Sequence, residues 1–333
     1  MVQHKASNAL RLFIEEWESP KETITMHTSG STGVPKPITV RKQQMRASAE
    51  MTCRFLGLKR GDTALLCLPT EYIAGKMMVV RSLVSGLHLV SVPPSIHPLL
   101  NMDEAIDFAA MIPTQVYHSL HTPCEAERLR NIRCLIIGGS AIDSQTEAAL
   151  RSFPNPIYAT YGMTETVSHI ALRRINGKDA HEGFMPMDGV KVSLSSQNTL
   201  IIDAPTLCEE PLQTNDCARI LDDGSFILLG RIDNVVNSGG IKHHIEQLEA
   251  KLRMTNNHAT FAFTSVPHPE WGEALVLLIE EGSSSDIHLE ALTTYERPKH
   301  ILHIHTLPLT ANAKIDRKAC RTLALAQIKP FQV

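Results

Sequence analysis

The run Thr28-Ser29-Gly30-Ser31-Thr32-Gly33-Val34-Pro35-Lys36 stands between two short β-patterned stretches, 23–27 and 37–40, and its reading decides the rest of the chain. It reads as strand, flexible loop, strand. Hydroxyls and two glycines let a backbone fold closely around phosphate oxygens, with N–H and O–H donors pointing inward and Lys36 supplying a positive charge at the loop's end. A Walker A loop would instead need its lysine followed by Ser or Thr and a helix. Here Pro37 and a β-branched run follow. The spacing Gly30-Ser31-Thr32-Gly33 also lacks the G-x-S-x-G pattern of a nucleophile elbow. A solvent-exposed Ser/Gly turn is the bland alternative, and the density of donors argues against it.

Three further stretches follow in order: Tyr161-Gly162-Met163-Thr164-Glu165, then Gly230-Arg231-Ile232-Asp233 with Ser238-Gly239-Gly240, then the run from Pro308 through Lys314 to Arg317. Together with the loop they resemble the adenylate-forming superfamily, which includes acyl-CoA synthetases, luciferases and peptide-synthetase adenylation domains. The resemblance covers residues 23–318, nearly the whole chain. It implies an α/β fold of two parts. The first is a large N-terminal domain, residues 1–230, with a mostly parallel sheet covered by helices plus a small β subdomain. The second is a small mobile α+β domain, residues 231–333.

Composition agrees with that class. A chain of 333 residues, 43% hydrophobic and 20% charged, can bury the cores of two domains. A net charge of −3 offers no broad basic field, so a nucleic-acid partner is not expected. No apolar run approaches the roughly 18 residues needed to span a bilayer. The N-terminal stretch has Leu10, Phe13, Ile14 and Trp17 at helical spacing instead of a signal peptide's apolar core, and a cytosolic protein is expected. The seven cysteines form no C-x-x-C pair, which argues against both a disulfide framework and a zinc site.

Between the motifs, periodicity predicts helices over 41–56, 76–85, 103–111 and 144–151, and strands over 64–68, 87–92, 115–118, 134–137 and 157–159. Strands alternating with helices predict a largely parallel sheet, with ligands at the carboxyl ends of its strands. Gly138, Gly139, Ser140, Tyr161 and Gly162 all directly follow predicted strands. From Gly189 the texture changes to short strands at 190–194, 200–202, 218–221 and 226–229. Beyond Arg231 a helix over 245–253 and strands at 259–263, 275–279 and 301–305 make a compact α+β unit.

The resemblance assigns roles. Thr28, Ser29, Gly30, Ser31, Thr32, Gly33 and Lys36 would hold the β- and γ-phosphates of ATP, with Gly138, Gly139, Ser140, Gly162 and Met163 lining the nucleotide site. Tyr161 corresponds to the family's adenine-stacking aromatic and Thr164 to its α-phosphate ligand. Glu165 would hold Mg²⁺, a hard cation that prefers carboxylate oxygen. Taken alone, 161–165 also reads as a strand-end turn into a helix N-terminus. Asp216, in Thr214-Asn215-Asp216, is similar to a Thr-Gly-Asp whose carboxylate accepts from the ribose hydroxyls, with Asn215 departing at the middle position. Arg231 would reach ribose or phosphate, and Asp233 would be the hinge. Lys314 would bridge the substrate carboxylate and the α-phosphate, with Ala313 standing where the family has glycine. Ser238, Gly239 and Gly240 would flank the tunnel for the thiol of CoA, the co-substrate.

For the acid, the runs Leu68-Pro69-Thr70-Glu71-Tyr72-Ile73-Ala74-Gly75-Lys76 and Thr164-Glu165-Thr166-Val167-Ser168-His169-Ile170-Ala171 look like those of o-succinylbenzoate:CoA ligases of menaquinone biosynthesis. The phosphate loop comes after only 27 residues, so part of the usual large domain is expected to be absent. No carrier-protein segment follows, which makes a free thiol the expected acceptor. A dicarboxylate substrate calls for a cation or a cluster of donors in its pocket: Lys76 and Arg81 are the candidate cations, with Tyr72, Ser168 and His169 expected beside them. A synthetase for another aryl or short-chain acid, or a non-catalytic nucleotide-binding descendant, stays open. So does a homo-oligomer.

Overall fold

The computed structural model describes residues 7–27, 37–256, 258–283, 287–310 and 314–328. Thr28, Ser29, Gly30, Ser31, Thr32, Gly33 and Lys36 of the phosphate loop lie outside the described residues, as does Ala313. Helix α1 (Asn8–Glu18) starts where the Ser7 hydroxyl accepts from the Leu10 N–H at 3.1 Å, and its apolar stripe sets Leu10, Phe13 and Trp17 into the core. Strands β1 (Thr23–His27) and β2 (Pro37–Arg41) pair antiparallel, with His27 opposite Pro37.

The main sheet follows from α2 (Lys42–Phe55), β3 (Thr63–Leu66), α3 (Ile73–Ser85), β4 (His88–Ser91), β5 (Phe108–Met111), α4 (Pro113–His121), α5 (Pro123–Asn131), β6 (Cys134–Ile137), α6 (Ser144–Leu150), β7 (Ile157–Gly162), a 3-10 turn (Thr164–Thr166), β8 (His169–Arg174) and β9 (Met185–Pro186). Its order is β4-β3-β5-β6-β7-β8-β9. The strands from β4 to β7 run parallel, and β8 and β9 are antiparallel additions at one edge. Parallel neighbours need crossover connections, and the helices supply them.

Two expected elements are corrected. The helix expected over 103–111 is in fact loop followed by β5, whose four residues Phe108, Ala109, Ala110 and Met111 are all buried between β3 and β6. A strand covered on both faces has no alternation, so a short apolar run cannot be told from a buried helix by period. The strand expected over 115–118 is part of α4. Pro113 opens that helix with its fixed φ, the Gln115 Oε1 accepts from the Ile112 N–H at 3.2 Å, and Gln115, Val116 and Ser119 share its buried face.

A second sheet, β10 (Lys191–Leu194), β11 (Thr199–Asp203), β12 (Leu212–Ile220) and β13 (Phe226–Arg231), is antiparallel throughout. One contiguous apolar core runs from Leu10 to Phe226. The rest of the chain builds a 3-10 turn (Ile232–Asn234), β14 (Val235–Ser238), β15 (Ile241–His244), α7 (Ile245–Arg253), β16 (Phe261–His268), β17 (Gly272–Glu280), β18 (His300–Ile304) and α8 (Arg317–Gln327). Here alternation divides the strands between two cores. Phe261, Phe263, Leu275, Leu277 and Ile279 pack with Leu248 and Leu252 of α7. Ala262, Val266, Ala274, Val276 and Leu278 pack with Cys320 and Ala324 of α8. Buried Glu249 of α7 ties the two helices through Arg317, whose Nη2 donates to Oε2 at 2.8 Å, while Oε1 accepts from the Phe263 N–H at 2.8 Å.

Candidate active site

The carboxyl ends of β6 and β7 lie side by side, since the two strands pair in parallel. Glycine is required at both. A Cβ at Gly138 would lie 2.2 Å from the Thr160 hydroxyl, and one at Gly162 would lie 2.2 Å from the Ser168 carbonyl oxygen. Gly139 has φ 92, and Ser140 is exposed. The strand-end turn after β7 is the 3-10 turn at 164–166, which leaves Glu165 exposed while its carbonyl accepts from the Cys208 thiol at 3.5 Å. A lone exposed carboxylate is a fitting ligand for a hard divalent cation that keeps waters and phosphate oxygens as its other ligands. Among the described residues no group of three or more His, Cys, Asp or Glu is placed to hold a metal.

In the second sheet, register sets Asp216 of β12 opposite Arg231 of β13. The Tyr161 hydroxyl donates to Asp216 Oδ2 at 2.7 Å, and Arg231 Nη1 lies 3.5 Å from Asp216 Oδ1. Tyr161 is only 8% exposed, with its ring edge-on to Phe226 at 5.3 Å, so in this structure its aromatic face is largely covered. Burial, then the Asp216 carboxylate, push the Tyr161 phenol above its ordinary range. Asp233 is tied to the same corner, accepting from Arg231 Nη2 at 3.0 Å and from Asn215 Nδ2 at 3.1 Å. The residue that departs from the family pattern thus holds the expected hinge.

Of the five residues expected around the acid, the structure brings three together. Arg81 of α3 is 2% exposed, and its Nη2 donates to the Ser168 Oγ at 2.8 Å. Among the described residues its Nη1 finds only the Met78 sulfur at 3.8 Å, and its Nε has no partner. Burial pulls the guanidinium down to about 10, which leaves it charged at neutral pH. Buried His169 shares a hydrogen bond with Thr52 through Nε2 at 3.0 Å, and its Nδ1 lies 3.4 Å from Ser168 Oγ. Thr52 escaped the sequence reading, where a polar residue on the apolar stripe of α2 was the available signal. Lys76 and Tyr72 do not join the cluster. The Lys76 ammonium sits over the Phe13 ring of α1 at 4.3 Å, and Tyr72 is 48% exposed.

Burial and the Arg81 charge hold the His169 imidazole well below its ordinary value. The unfolded chain therefore takes up the proton first as pH falls. The stability His169 contributes is complete above pH of about 6.5 and is lost progressively below it, with a slope of at most about 1.4 kcal/mol per pH unit for one proton. Chemical denaturation of wild type and His169→Gln between pH 7 and 5 checks this: the wild type should lose stability more steeply.

In the C-terminal part, Ser238, Gly239, Gly240 and Ile241 form the tight turn between β14 and β15. Gly239 and Gly240 have φ 60 and φ 83, the two positive values that such a hairpin turn requires. Lys314 is exposed. Its carbonyl accepts from the Thr310 N–H at 2.7 Å, and Leu309 bridges Ile315.

The fold is that of an adenylate-forming enzyme, and residues 4–214 match the AMP-binding enzyme family, to which this chain belongs. The 2-succinylbenzoate–CoA ligases of a Bacillus cereus strain and of Bacillus cytotoxicus are each 25% identical to it, over 93% of this chain and 72% of theirs. An acyl-CoA synthetase (AMP-forming)/AMP-acid ligase II-like protein from Dyadobacter fermentans is 34% identical over 95% of both chains, with a TM-score of 0.66. The o-succinylbenzoate coenzyme A synthetase of Bacillus subtilis, solved in complex with ATP and magnesium ion, shares the fold at a TM-score of 0.73 and 20% identity, over 88% of this chain and 68% of that one. Among the described residues no helix is long and apolar enough to cross a membrane.

Proposed function

We propose that this chain is an acid–thiol ligase that joins o-succinylbenzoate to the α-phosphate of ATP, expels pyrophosphate, and then passes the acyl group to CoA with release of AMP. Its place would be menaquinone biosynthesis in the cytosol. The observation that carries the choice of acid is Arg81: a buried guanidinium with, among the described residues, one oxygen partner, no carboxylate against it and an unpartnered Nε. A buried charge left in that condition costs several kcal/mol, and a second carboxylate on the substrate would satisfy it. The names of the Bacillus relatives support the same acid.

In this reading Thr28, Ser29, Thr32 and Lys36 grip the β- and γ-phosphates, Thr164 touches the α-phosphate, and Asp216 with Arg231 takes the ribose. Mg²⁺, held by Glu165, would neutralise phosphate charge. Lys314 acts on the charge that develops at the α-phosphate during adenylation. Pyrophosphate release against a panel of carboxylic acids, with and without CoA, tests the proposal. A preference for a monocarboxylic acid such as benzoate would keep the ligase and remove the acid.

We further propose a domain boundary at 230/231, with Asp233 as the pivot about which the C-terminal domain turns between half-reactions and brings Ser238, Gly239 and Gly240 to the thiol's path. The first apolar core ends at Phe226 and the next begins at Val236, which supports that boundary. Asp233→Pro fixes φ near about −65° and should trap one orientation. Adenylation should survive and thioester formation fail; an unchanged overall turnover would remove the hinge.

A further inference from the structure

Val167 has φ 67 and ψ −48, a region that L side chains rarely adopt and that is worst for a β-branched one. The Ser168 N–H donates to the Thr166 carbonyl at 2.7 Å, so Thr166, Val167 and Ser168 form a γ-turn of the rare positive-φ kind. Among the described residues only one other non-glycine has positive φ, and that is Asn198, a residue type that tolerates it. Val167 is 1% exposed in the main core, so its side chain cannot swing out to relax. Its neighbours lock the turn from both sides. The Thr166 hydroxyl, itself fully buried, accepts from the Met163 N–H at 3.0 Å and lies 2.8 Å from the Ser168 carbonyl oxygen, while Gly162 lacks the Cβ that would strike that same carbonyl.

Strain of this kind persists only where the surroundings over-determine it, and it gathers at functional sites. Here its local effect is definite. The turn reverses the chain between exposed Glu165 and β8, sets the Ser168 Oγ against Arg81 Nη2 at 2.8 Å, and sends His169 to Thr52. We propose that Val167 is a positioning residue for acid recognition: the strained turn holds Ser168 as a fixed partner of one arm of the Arg81 fork, so that the fork's remaining N–H groups keep one direction toward the substrate's second carboxylate. This rests on the acid reading given under Proposed function. Val167 touches no reacting atom and acts through Ser168 and Arg81.

Val167→Gly and Val167→Ala both delete the buried side chain, but only glycine relaxes the backbone. The glycine variant should melt above the alanine variant, the reverse of the usual order. It should also raise the KM for o-succinylbenzoate about five- to tenfold over that of the alanine variant, because a loosened partner misplaces the guanidinium, with the KM for ATP equal in the two. An alanine variant that melts at or above the glycine variant overturns the strain. Equal acid KM values overturn its role in recognition. Arg81→Ala in the same assay separates the two levels. If it raises the acid KM and Val167→Gly does not, only the turn proposal falls. If it leaves the acid KM unchanged, the acid reading falls and takes the turn proposal with it.

Discussion

Lys314→Ala should lose adenylate formation by at least about two to three orders of magnitude, the range for removing one preorganised partner of a developing oxyanion, or about 3 to 4 kcal/mol. Thioester formation from preformed acyl adenylate should stay largely intact. The side chain can be removed without touching the fold. Main-chain contacts tie Lys314 to Thr310 and Leu309 to Ile315, and the Asp316 carboxylate caps α8 through the Ala319 N–H at 3.0 Å. The side chain itself is exposed, and among the described residues its ammonium has no partner. Removing it therefore leaves the α8 cap and the C-terminal cores in place, and the loss reads as chemistry. The check is to run the two half-reactions separately, with pyrophosphate exchange for the first and CoA consumption from synthetic acyl adenylate for the second. Equal losses in both would end the assignment of Lys314 to the adenylation step.

Arg81→Ala should raise the KM for o-succinylbenzoate by about one to two orders of magnitude, equivalent to about 1.5 to 3 kcal/mol for a charge-assisted bond, and barely move that for ATP. The guanidinium is the one group of the Arg81, Ser168, His169 and Thr52 cluster that stays charged at neutral pH, since burial holds His169 neutral. Lys76 cannot take its place, because its ammonium is committed to the Phe13 ring. Melting curves measured beside the kinetics distinguish a binding defect from a folding one. An Arg81→Ala enzyme that handles o-succinylbenzoate normally would reduce Arg81 to a buried structural residue.

Where the sequence was readable, the signal was local. The β-patterned runs flanking the glycine-rich loop are paired strands, and the helix expected over 245–253 has those bounds, because a strong 3.6-residue period over several turns has few alternative readings. The readings at 103–111 and 115–118 failed for a physical reason already visible in the sheet: β5 is covered on both faces and carries no alternation, and α4 takes its start from a proline cap that outweighs four residues of β-like texture. Asn215 was legible as a departure from the family pattern. That it holds Asp233 was not, because the two are 18 residues apart and meet only through the β12–β13 register.

The sequence by itself determined the class of nucleotide chemistry, since the residues proposed for phosphate, ribose and metal sit in contiguous motifs whose spacing is set by the chain. Only the tertiary structure decided which of the two candidate cations is left short of partners among the described residues. Lys76 and Arg81 lie on one helix, five residues and so about 140° apart around its axis, and no periodicity says which side a substrate will occupy. Packing separates them: Phe13 of α1 lies against Lys76, while the turn at Val167 brings Ser168 to Arg81, which stays buried, charged and, among the described residues, short of partners.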